Sequence, residues 1–531
     1  MQVFTREEVR VETPLHGFTP WPHELADRYR QAGHWRGEVL SDLLRGPAAA
    51  DPQRIAVVTR SNRYTYGELD LRADELAAGL ADLGIVKRDR VVVGLPNTVE
   101  FVTTCVALFR IGALPVLALP AHRRAELTYL AQYSEAIALI TPHADLAREV
   151  AKEAGSLKHV LLAEELAGVS APARDHVGPK PSDVAFFLLS GGTTGLPKLI
   201  PRTHDDYAFQ MRATAAAMGF DENHAYLAAL PVAHNAALGC PGALGALWVG
   251  GRAVLASSPS PDEVFPLIAQ EKVTLTTLMP AVLSLWTDIA ELFNADLSGL
   301  TIEVGGAVLA PELGRKVRPA LGATLTHWFG MAEGILCFTR RDDGDEVAAT
   351  TQGTPMCKDD ELLIVDEQDR PVPAGEVGQL LVRGPCVLRG YYNVDEHNKT
   401  VFTSDGYLRT GDLARFTPER RLVITGRLKD VINRGGEKVS ADEVESHLVA
   451  HPRVRGAAVL PLADRRLGEK ICAVIVARDE PPTLAELRDL LRDRGLADYK
   501  LPDRLEVVDS LPQTNVGKID KRKLAELLDG S

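Results

Sequence analysis

The segment FFLLSGGTTGLPKLIPRTH, at residues 186–204, carries the residue types that bind an anion. Its apolar start predicts a buried strand, and the glycines that follow let backbone N–H groups approach a ligand closely. Hydroxyls and a lysine add donors and positive charge, as a polyphosphate site requires. An isolated glycine pair would be typical of a plain turn, but this combination favours binding. The predicted contacts are Ser190, Gly191, Gly192, Thr193, Thr194, Gly195 and Lys198.

This segment is not the common nucleotide-binding P-loop. That motif reads G-x-x-x-x-G-K-[ST], whereas here Pro197 precedes the lysine and Leu199 follows it. A different kind of phosphate-binding loop is therefore predicted.

Alternating strand and helix patterns must position this loop. Helical runs such as YGELDLRADELAAGLADLG alternate with short strands such as DRVVVGLP, which is typical of layered α/β architecture. After about residue 350, strand-and-turn segments with Pro and Gly predict a β-rich part, and the last hundred residues return to an α/β pattern. We predict an α/β fold with a large domain at 1–428, β-rich over about 350–428, and a small mobile domain at 429–531.

Composition narrows the function classes. The 531 residues are 45% hydrophobic and 25% charged, with a formal charge of -13, which is typical of a globular protein without a broad nucleic-acid or anionic-membrane surface. The six cysteines show no metal-like spacing, so reduced thiols and a cytoplasmic location are expected. The N-terminal residues lack the apolar run of a signal peptide, and the most apolar stretch, broken by Arg110 and two prolines, is too short to span a membrane.

Four further motifs follow the glycine-rich segment in order. They are FGMAEG at 329–334, LRTGDLA at 408–414, GRLKDVINRGGEKVSADEVE at 426–445 and LPQTNVGKIDKRKL at 511–524. All five resemble the signature motifs of the adenylate-forming superfamily, which includes acyl-CoA synthetases, firefly luciferase and the adenylation domains of nonribosomal peptide synthetases. The resemblance covers nearly the whole chain. It implies that ATP and Mg²⁺ activate a carboxylic acid as an acyl-AMP, which a thiol then attacks.

The resemblance implies roles for two charged residues. Attack by a carboxylate on the α-phosphate brings two anions together and needs a cation, and Lys518 is implied to contact both groups. Without the resemblance, Lys518 would be interpreted as a surface lysine. Glu333 is implied to hold magnesium, which prefers oxygen ligands. Its alternative is a charge at a helix N-terminus.

The remaining nucleotide contacts come from the same comparison of motifs. Asp412 resembles the aspartate that accepts hydrogen bonds from both ribose hydroxyls, although a turn-capping role is the simpler alternative. Lys429 matches the hinge about which the small domain rotates between two half-reactions. The other implied nucleotide contacts are Gly305, Gly306, Ala307, Met331 and Arg427.

The stretch LPVAHNAALGCPGALG, at 230–245, bears on the substrate. It resembles the pocket segment of stand-alone aryl acid-AMP ligases, which activate 2,3-dihydroxybenzoate or salicylate for siderophore and peptide assembly. Asn235 matches the residue that hydrogen-bonds a hydroxyl ortho to the carboxylate, with an Asx-turn as the alternative. The implied pocket residues are His234, Asn235, Ala236, Cys240 and Cys337.

Two pocket positions depart from the dihydroxybenzoate pattern. Cys240 replaces a serine and is a weaker partner for a second hydroxyl, as in salicylate-type enzymes. Ala236 replaces a tyrosine, which predicts a larger cavity. We therefore expect a bulky ortho-hydroxy acid such as 3-hydroxyquinaldate, with salicylate, 3-hydroxypicolinate and 2,3-dihydroxybenzoate as alternatives.

The expected thiol belongs to the phosphopantetheine of a separate aryl carrier protein, since no carrier module follows Lys518. Coenzyme A is the alternative acceptor. Two other functions stay open: a luciferase-like oxidase that acts on the adenylate, and a protein that binds adenylates without catalysis. Intact Lys518, Glu333 and Asp412 argue against the second of these.

Overall fold

A computed structural model describes residues 13–190, 197–293, 295–434, 437–464, 467–514 and 518–529. These residues form 24 strands in four sheets. In chain order, β1 to β24 are Ile55–Val58, Arg63–Thr65, Arg90–Val93, Leu114–Leu117, Ala138–Thr141, His159–Leu162, Val184–Leu189, Leu199–Thr203, Ala225–Ala228, Arg252–Leu255, Leu275–Leu278, Thr301–Gly305, Thr324–Gly330, Leu336–Phe338, Thr354–Pro355, Glu361–Val365, Gly378–Arg383, Leu408–Phe416, Leu422–Arg427, Val431–Arg434, Glu437–Ser440, Val454–Asp464, Gly468–Ala477 and Arg504–Val507.

Several helices begin at a side chain that caps the first turn. Thr65, Thr203 and Thr483 each accept a hydrogen bond from the backbone N–H three residues later, and the acidic residue there bonds back. In chain order, α1 to α18 are His23–Gln31, Arg45–Ala50, Tyr66–Asp82, Val99–Arg110, Arg124–Ser134, Ala144–Glu153, Leu166–Val169, His204–Met218, Asn235–Gly239, Gly242–Trp248, Pro261–Glu271, Pro280–Phe293, Pro311–Leu321, Asp345–Thr350, Asp395–Val401, Ala441–Leu448, Leu484–Asp493 and Lys521–Asp529.

Two sheets form the centre of the large domain. One has the order β6-β5-β3-β4-β7-β8, and the other has the order β15-β14-β13-β12-β11-β9-β10-β1-β2. Their inner strands are parallel and mostly buried, as expected for strands covered by helices on both faces. Antiparallel pairs occur at the margins, including β7 with β8 and β13 with β14.

The parallel strands bring distant segments of the chain together. Strands β9, β12 and β13 lie in one sheet, so the residues that follow each of them emerge at the same edge. Ligands bind outside the carboxyl ends of strands in sheets of this kind. The segments after these strands contain three of the predicted motifs, at 230–245, 305–307 and 329–334.

Two smaller sheets follow in the chain. Strands β16 to β19 form an antiparallel sheet, and β20 to β24 form a second sheet in which β24 pairs in parallel with β23. A short 3₁₀ turn, Leu428–Asp430, connects the two sheets. The last sheet and helices α16 and α17 enclose an apolar cluster of their own.

The sheets and helices together are the mixed α/β architecture that the sequence predicts. The domain boundary at 428/429 stays a prediction, although it falls in the turn between the two smaller sheets. Among the described helices, none is long and apolar enough to cross a membrane.

Candidate active site

The glycine-rich segment joins β7 to β8 across an antiparallel pair. Its two described ends are held together, because the Lys198 backbone N–H donates to Ser190 Oγ at 2.9 Å and the Ser190 N–H donates to the Lys198 carbonyl at 2.9 Å. The Lys198 ammonium lies 5.7 Å from the centre of the Tyr391 ring. The predicted contacts Gly191, Gly192, Thr193, Thr194 and Gly195 lie outside the described residues.

Glu333 lies in a tight turn between β13 and β14. The Gly334 N–H donates to the Met331 carbonyl at 3.0 Å, and the Met331 N–H donates to the Ile335 carbonyl at 3.1 Å. The Glu333 side chain is buried, and Tyr391 donates its hydroxyl to Glu333 Oε1 at 2.7 Å. This carboxylate is fixed in orientation, and its chemistry fits a hard cation such as Mg²⁺.

Asp412 and Arg427 face each other across strands β18 and β19. Arg427 Nε lies 3.0 Å from Asp412 Oδ1, whereas Asp412 Oδ2 is buried and has no hydrogen-bond partner among the described residues. Burial raises the pKa of the Asp412 carboxyl, and the charges of Arg427 and Lys518 oppose that shift. A buried acceptor without a partner is costly, so this oxygen is suited to receive a ligand hydroxyl.

Lys518 reaches these groups from the small domain. Burial lowers the pKa of its ammonium to about 8; the charge of Arg427 adds to the shift, while Asp412 and Glu333 oppose it. The pKa of His234 is lowered to about 4, first by burial and then by the charge of Lys518. Residues from both domains therefore converge on one site.

Strand β12 ends beside this cluster at Gly305, and a second glycine, Gly306, follows. A Cβ atom added to Gly305 would lie 2.4 Å from the Trp328 carbonyl oxygen, so only glycine fits there. Gly306 has a φ of +76°, in the left-handed region that favours glycine. Ala307 follows and is exposed. Together these residues leave a flat surface next to Trp328 that could receive a planar ring.

Asn235, at the start of α9, is held by two side chains of α8. Tyr207 donates its hydroxyl to Asn235 Oδ1 at 3.0 Å, and Gln210 Nε2 donates to the same oxygen at 3.2 Å. Arg202, which has only donors, gives a hydrogen bond to Gln210 Oε1 at 2.9 Å and so fixes which end of that amide faces Asn235. The Asn235 amide nitrogen has no acceptor among the described residues.

The other predicted pocket residues surround Asn235. Ala236 is buried, and Cys240 Sγ accepts a weak hydrogen bond from Gln210 Nε2 at 3.4 Å. Cys337 is fully buried on β14, and burial raises the pKa of both thiols, which are therefore neutral at pH 7. Tyr207 packs so closely under α9 that a Cβ on Gly239 would lie 2.4 Å from its hydroxyl oxygen.

Lys429 lies in the turn Leu428–Asp430, and its charge contributes to the lowered pKa of Lys518. Two open surface cavities, of about 530 and 380 Å³, are lined by residues of α1, α8 and their neighbours and by none of the predicted site residues. The converging charged side chains, rather than these cavities, mark the candidate site.

The sequence analysis missed Tyr391, Tyr207 and Gln210. Each acts through a hydrogen bond to a predicted residue that lies 25 to 58 positions away in the chain. No local motif links such pairs. Only the packing of α8 against α9, and of the 391 segment against the turn after β13, brings them together.

Comparison with known proteins identifies the family. The family model described as AMP-binding enzyme matches residues 44–392, and the model described as AMP-binding enzyme C-terminal domain matches 443–518. The chain belongs to the AMP-binding enzymes. This family and the relatives below confirm the predicted adenylate-forming fold, with a large N-terminal and a smaller C-terminal domain, and its dependence on ATP.

Several relatives of this AMP-binding enzyme are named for the aryl acids on which they act. The 2,3-dihydroxybenzoate-AMP ligase of Bacillus subtilis (strain 168) is 51% identical over 97% of this chain and 98% of its own length. The 2-hydroxy-7-methoxy-5-methyl-1-naphthoate–CoA ligase of Streptomyces carzinostaticus is 43% identical over 96% of each chain. The Mycobacterium smegmatis MbtA apo structure is 46% identical, covers 96% of this chain and 98% of its own, and gives a TM-score of 0.75. This AMP-binding enzyme is an aryl acid-AMP ligase.

Proposed function

We propose that this ligase activates an aromatic carboxylic acid with an ortho hydroxyl as its acyl-AMP and transfers it to the phosphopantetheine thiol of a separate aryl carrier protein. The observation that carries the proposal is the fixed Asn235 amide, whose oxygen is engaged by Tyr207 and Gln210. Its nitrogen is the group left to donate to a phenolic oxygen.

The nucleotide side of the site supports the first half-reaction. An oxygen of the substrate carboxylate attacks the α-phosphorus of ATP, and the bond to pyrophosphate breaks. Lys518 is placed to offset the negative charge of both reactants, and Asp412 Oδ2 offers an acceptor for a ribose hydroxyl. Lys198, with Ser190, closes the loop proposed to receive the phosphates.

Glu333 is the residue that we propose to hold magnesium. Its carboxylate is buried, and Oε1 is anchored by Tyr391, so the group is oriented in advance. When bound, Mg²⁺ would neutralise phosphate charge. The flat surface formed by Gly305, Gly306 and Ala307 is proposed to receive the adenine, with Met331 and Arg427 as further nucleotide contacts.

The acid side of the site supports a substrate larger than a single ring. Ala236 lies next to Asn235 on α9, and we propose that its small side chain leaves room that a larger residue would fill. A relative named for its action on a naphthoate, a fused bicycle, is 43% identical to this chain. We therefore propose a fused ortho-hydroxy acid such as 3-hydroxyquinaldate, bounded by His234, Ala236, Cys240 and Cys337. Salicylate, 3-hydroxypicolinate and 2,3-dihydroxybenzoate are the alternatives.

The second half-reaction needs access for a thiol. Lys518 occupies the site in this structure, so we propose that the small domain rotates about Lys429 before the thiol attacks the acyl-AMP and releases AMP. The cytoplasmic location stays a prediction from the sequence.

ATP–pyrophosphate exchange across a panel of acids tests the proposed substrate. The panel is benzoate, salicylate, 2,3-dihydroxybenzoate, 3-hydroxypicolinate, quinaldate and 3-hydroxyquinaldate. We expect 3-hydroxyquinaldate to give the highest kcat/KM. Asn235→Leu should remove the preference for each hydroxylated acid over its parent, about tenfold to a hundredfold for one buried hydrogen bond, and leave benzoate and quinaldate nearly unchanged. An equal loss with all acids would contradict the role of Asn235.

Coenzyme A is the alternative acceptor because one relative is named a CoA ligase. Incubating the preformed acyl-AMP enzyme with a holo aryl carrier protein or with coenzyme A separates the two. Faster thioester formation with the carrier protein is expected, and faster formation with coenzyme A would overturn that part of the proposal.

A further inference from the structure

Three side chains that commonly bind metal ions meet near the surface of the large domain. Among the described residues, His34, Cys357 and Asp359 are the one group of histidine, cysteine and acidic side chains whose three ligand atoms all lie within 4.8 Å of one another. His34 follows α1, and the other two residues follow β15. Cysteine spacing does not indicate this group, because His34 precedes Cys357 by 323 positions.

The three ligand atoms converge on one point. His34 Nε2 lies 2.6 Å from Asp359 Oδ2 and 3.5 Å from Cys357 Sγ. Around a tetrahedral Zn²⁺, such a nitrogen and sulfur lie about 3.5 Å apart, and such a nitrogen and oxygen about 3.3 Å apart. The first separation already fits. The second has to widen by about 0.7 Å, which a small rotation of the Asp359 carboxylate supplies.

The same geometry argues against a catalytic role for the cysteine. In a Cys–His–Asp arrangement for nucleophilic catalysis, the imidazole contacts the nucleophile through one ring nitrogen and the carboxylate through the other. Here both the thiol and the carboxylate lie at Nε2 of His34. One nitrogen shared in this way leaves room for a single proton or metal ion between the three groups, so the cluster fits cation binding.

Neighbouring groups hold the ligands in place. Arg28 Nη2 donates to Asp359 Oδ1 at 3.2 Å, which leaves Oδ2 for the cluster. The His34 ring packs against Phe209 of α8, with the ring centres 4.7 Å apart. The Asp359 backbone N–H donates to Cys357 Sγ at 3.3 Å, a contact that favours a thiolate. Outer contacts of this kind orient metal ligands and strengthen binding.

The cluster is accessible from solvent. His34 and Cys357 line the smaller of the two surface cavities, of about 380 Å³. An ion can enter there, and a water molecule has room at a fourth position. Sulfur and imidazole ligands favour Zn²⁺ over Mg²⁺, which prefers oxygen.

We propose that His34, Cys357 and Asp359 bind Zn²⁺, with water as the fourth ligand. The S–H bond of Cys357 breaks, its proton passes to the buffer, and the metal bonds to Sγ, to Oδ2 and to Nε2 of the His34 tautomer that carries its proton on Nδ1. The ion links the segment after α1 to the segment after β15. Because only the folded chain brings these ligands together, Zn²⁺ stabilises the folded state.

The test uses the full chain after its metals have been removed with a chelator. Titration with Co²⁺, a spectroscopic probe for zinc sites, should show one equivalent bound and a thiolate-to-metal charge-transfer band, which added Zn²⁺ abolishes. Cys357→Ser should lose the band. Cys357→Ser and His34→Gln should each weaken Zn²⁺ binding, measured by competition with a chromogenic chelator, by at least about tenfold to a hundredfold. Cys472→Ala, at a buried cysteine of the small domain, is the matched control and should change neither result.

Two results would overturn the proposal: a wild type without the charge-transfer band, or an unchanged band in a folded Cys357→Ser protein. If the variants fold poorly, the wild type decides alone, because its Tm should rise with Zn²⁺ concentration. A Tm that does not respond to Zn²⁺ would also overturn the site. ATP–pyrophosphate exchange with Mg²⁺ and an aryl acid is a separate measurement, whose failure would count against the proposed function and not against this metal site.

Discussion

At the scale of single residues, Lys518 is half-buried and Glu303, on β12, is fully buried, and both have protonation equilibria shifted toward the neutral form. Burial disfavours charge, so the pKa of the lysine falls to about 8 and that of the glutamic acid rises to about 8. The two shifts have different consequences. In the proposed reaction the lysine needs its charge, whereas the glutamic acid is more stable without one.

The pH dependence of activity should reflect the loss of the proton from the Lys518 ammonium. The kcat/KM for the acid reflects the free enzyme, and the protonated lysine is the useful form, so kcat/KM should fall as the pH rises above about 8. Lys518→Arg keeps the charge at all accessible pH values and should lose this decline, although its activity is lower. The same decline in both proteins would assign it to another group.

Lys518→Ala should separate the two half-reactions. We expect adenylation to fall by roughly a hundredfold or more, since removal of one preorganised donor from a transition state commonly costs that much. Thioester formation from added acyl-AMP should change far less, because the proposed rotation of the small domain moves the lysine away from the acyl-AMP. Single-turnover assays of each half-reaction measure this, and an equal loss in both would contradict the division.

The pH dependence of the free energy of unfolding should reflect ionisation of the Glu303 carboxyl. Its folded pKa of about 8 exceeds its ordinary value of 4.5, so the folded state holds this proton more tightly. The stability from that proton is complete below pH 4.5 and is lost as the pH rises through 8. Glu303→Gln should remove this loss, by at most about 3 kcal/mol between pH 5 and 7. Urea unfolding of both proteins at each pH tests it; parallel curves would contradict a buried acid.

At the scale of elements, the positions of the motifs could be predicted from the sequence, but the side chains that hold the motif residues in place could not. The apolar run before Ser190 was correctly predicted as a buried strand, since its composition is local information. The partners of Asn235 were not predictable, because α8 precedes it by a whole strand and only tertiary packing places Tyr207 and Gln210 against it. The same holds for Glu303, because no local pattern in the sequence indicates which of its oxygens is left without a partner among the described residues.

The short helix α9 allows a test of pocket size. Ala236→Tyr adds an aromatic ring next to Asn235 and should shift preference from bicyclic to monocyclic ortho-hydroxy acids, by about tenfold or more, through steric exclusion. Ala236→Ser is the matched control and should leave the ratio of kcat/KM values nearly unchanged. A bicycle-to-monocycle ratio that is the same in the tyrosine variant and the wild type would refute the enlarged pocket.

At the scale of the whole molecule, two arginines of the small domain form ion pairs with the large domain within the described part of the chain. Arg494 pairs with Glu312 of α13, and Arg478 Nη1 lies 3.4 Å from Asp288 Oδ2 of α12. All four charged side chains are partly exposed, so each pair contributes little, about 1 kcal/mol or less. Contacts this weak can stabilise one orientation of the small domain and still allow it to change.

Breaking one of these pairs should change the balance between the half-reactions. Glu312→Gln removes the partner of Arg494 and should slow adenylation by a few-fold while thioester formation is unchanged or faster. Glu346→Gln, which breaks an exposed pair within the large domain, is the matched control and should change neither rate. Slower thioester formation in the Glu312 variant would mean that this contact belongs to a later pose.

The hydrogen bonds of Arg202, Gln210 and Asn235 run in one direction, from the Arg202 guanidinium to the amide of Asn235. Because a guanidinium cannot accept, neither amide in the series can be reversed without leaving two donors face to face. If Asn235 faces the ortho substituent as proposed, the pocket should distinguish ortho substituents by their lone pairs. A phenol oxygen offers one to the Asn235 amide, whereas the aniline nitrogen of anthranilate offers almost none, so anthranilate should be rejected although it matches salicylate in size.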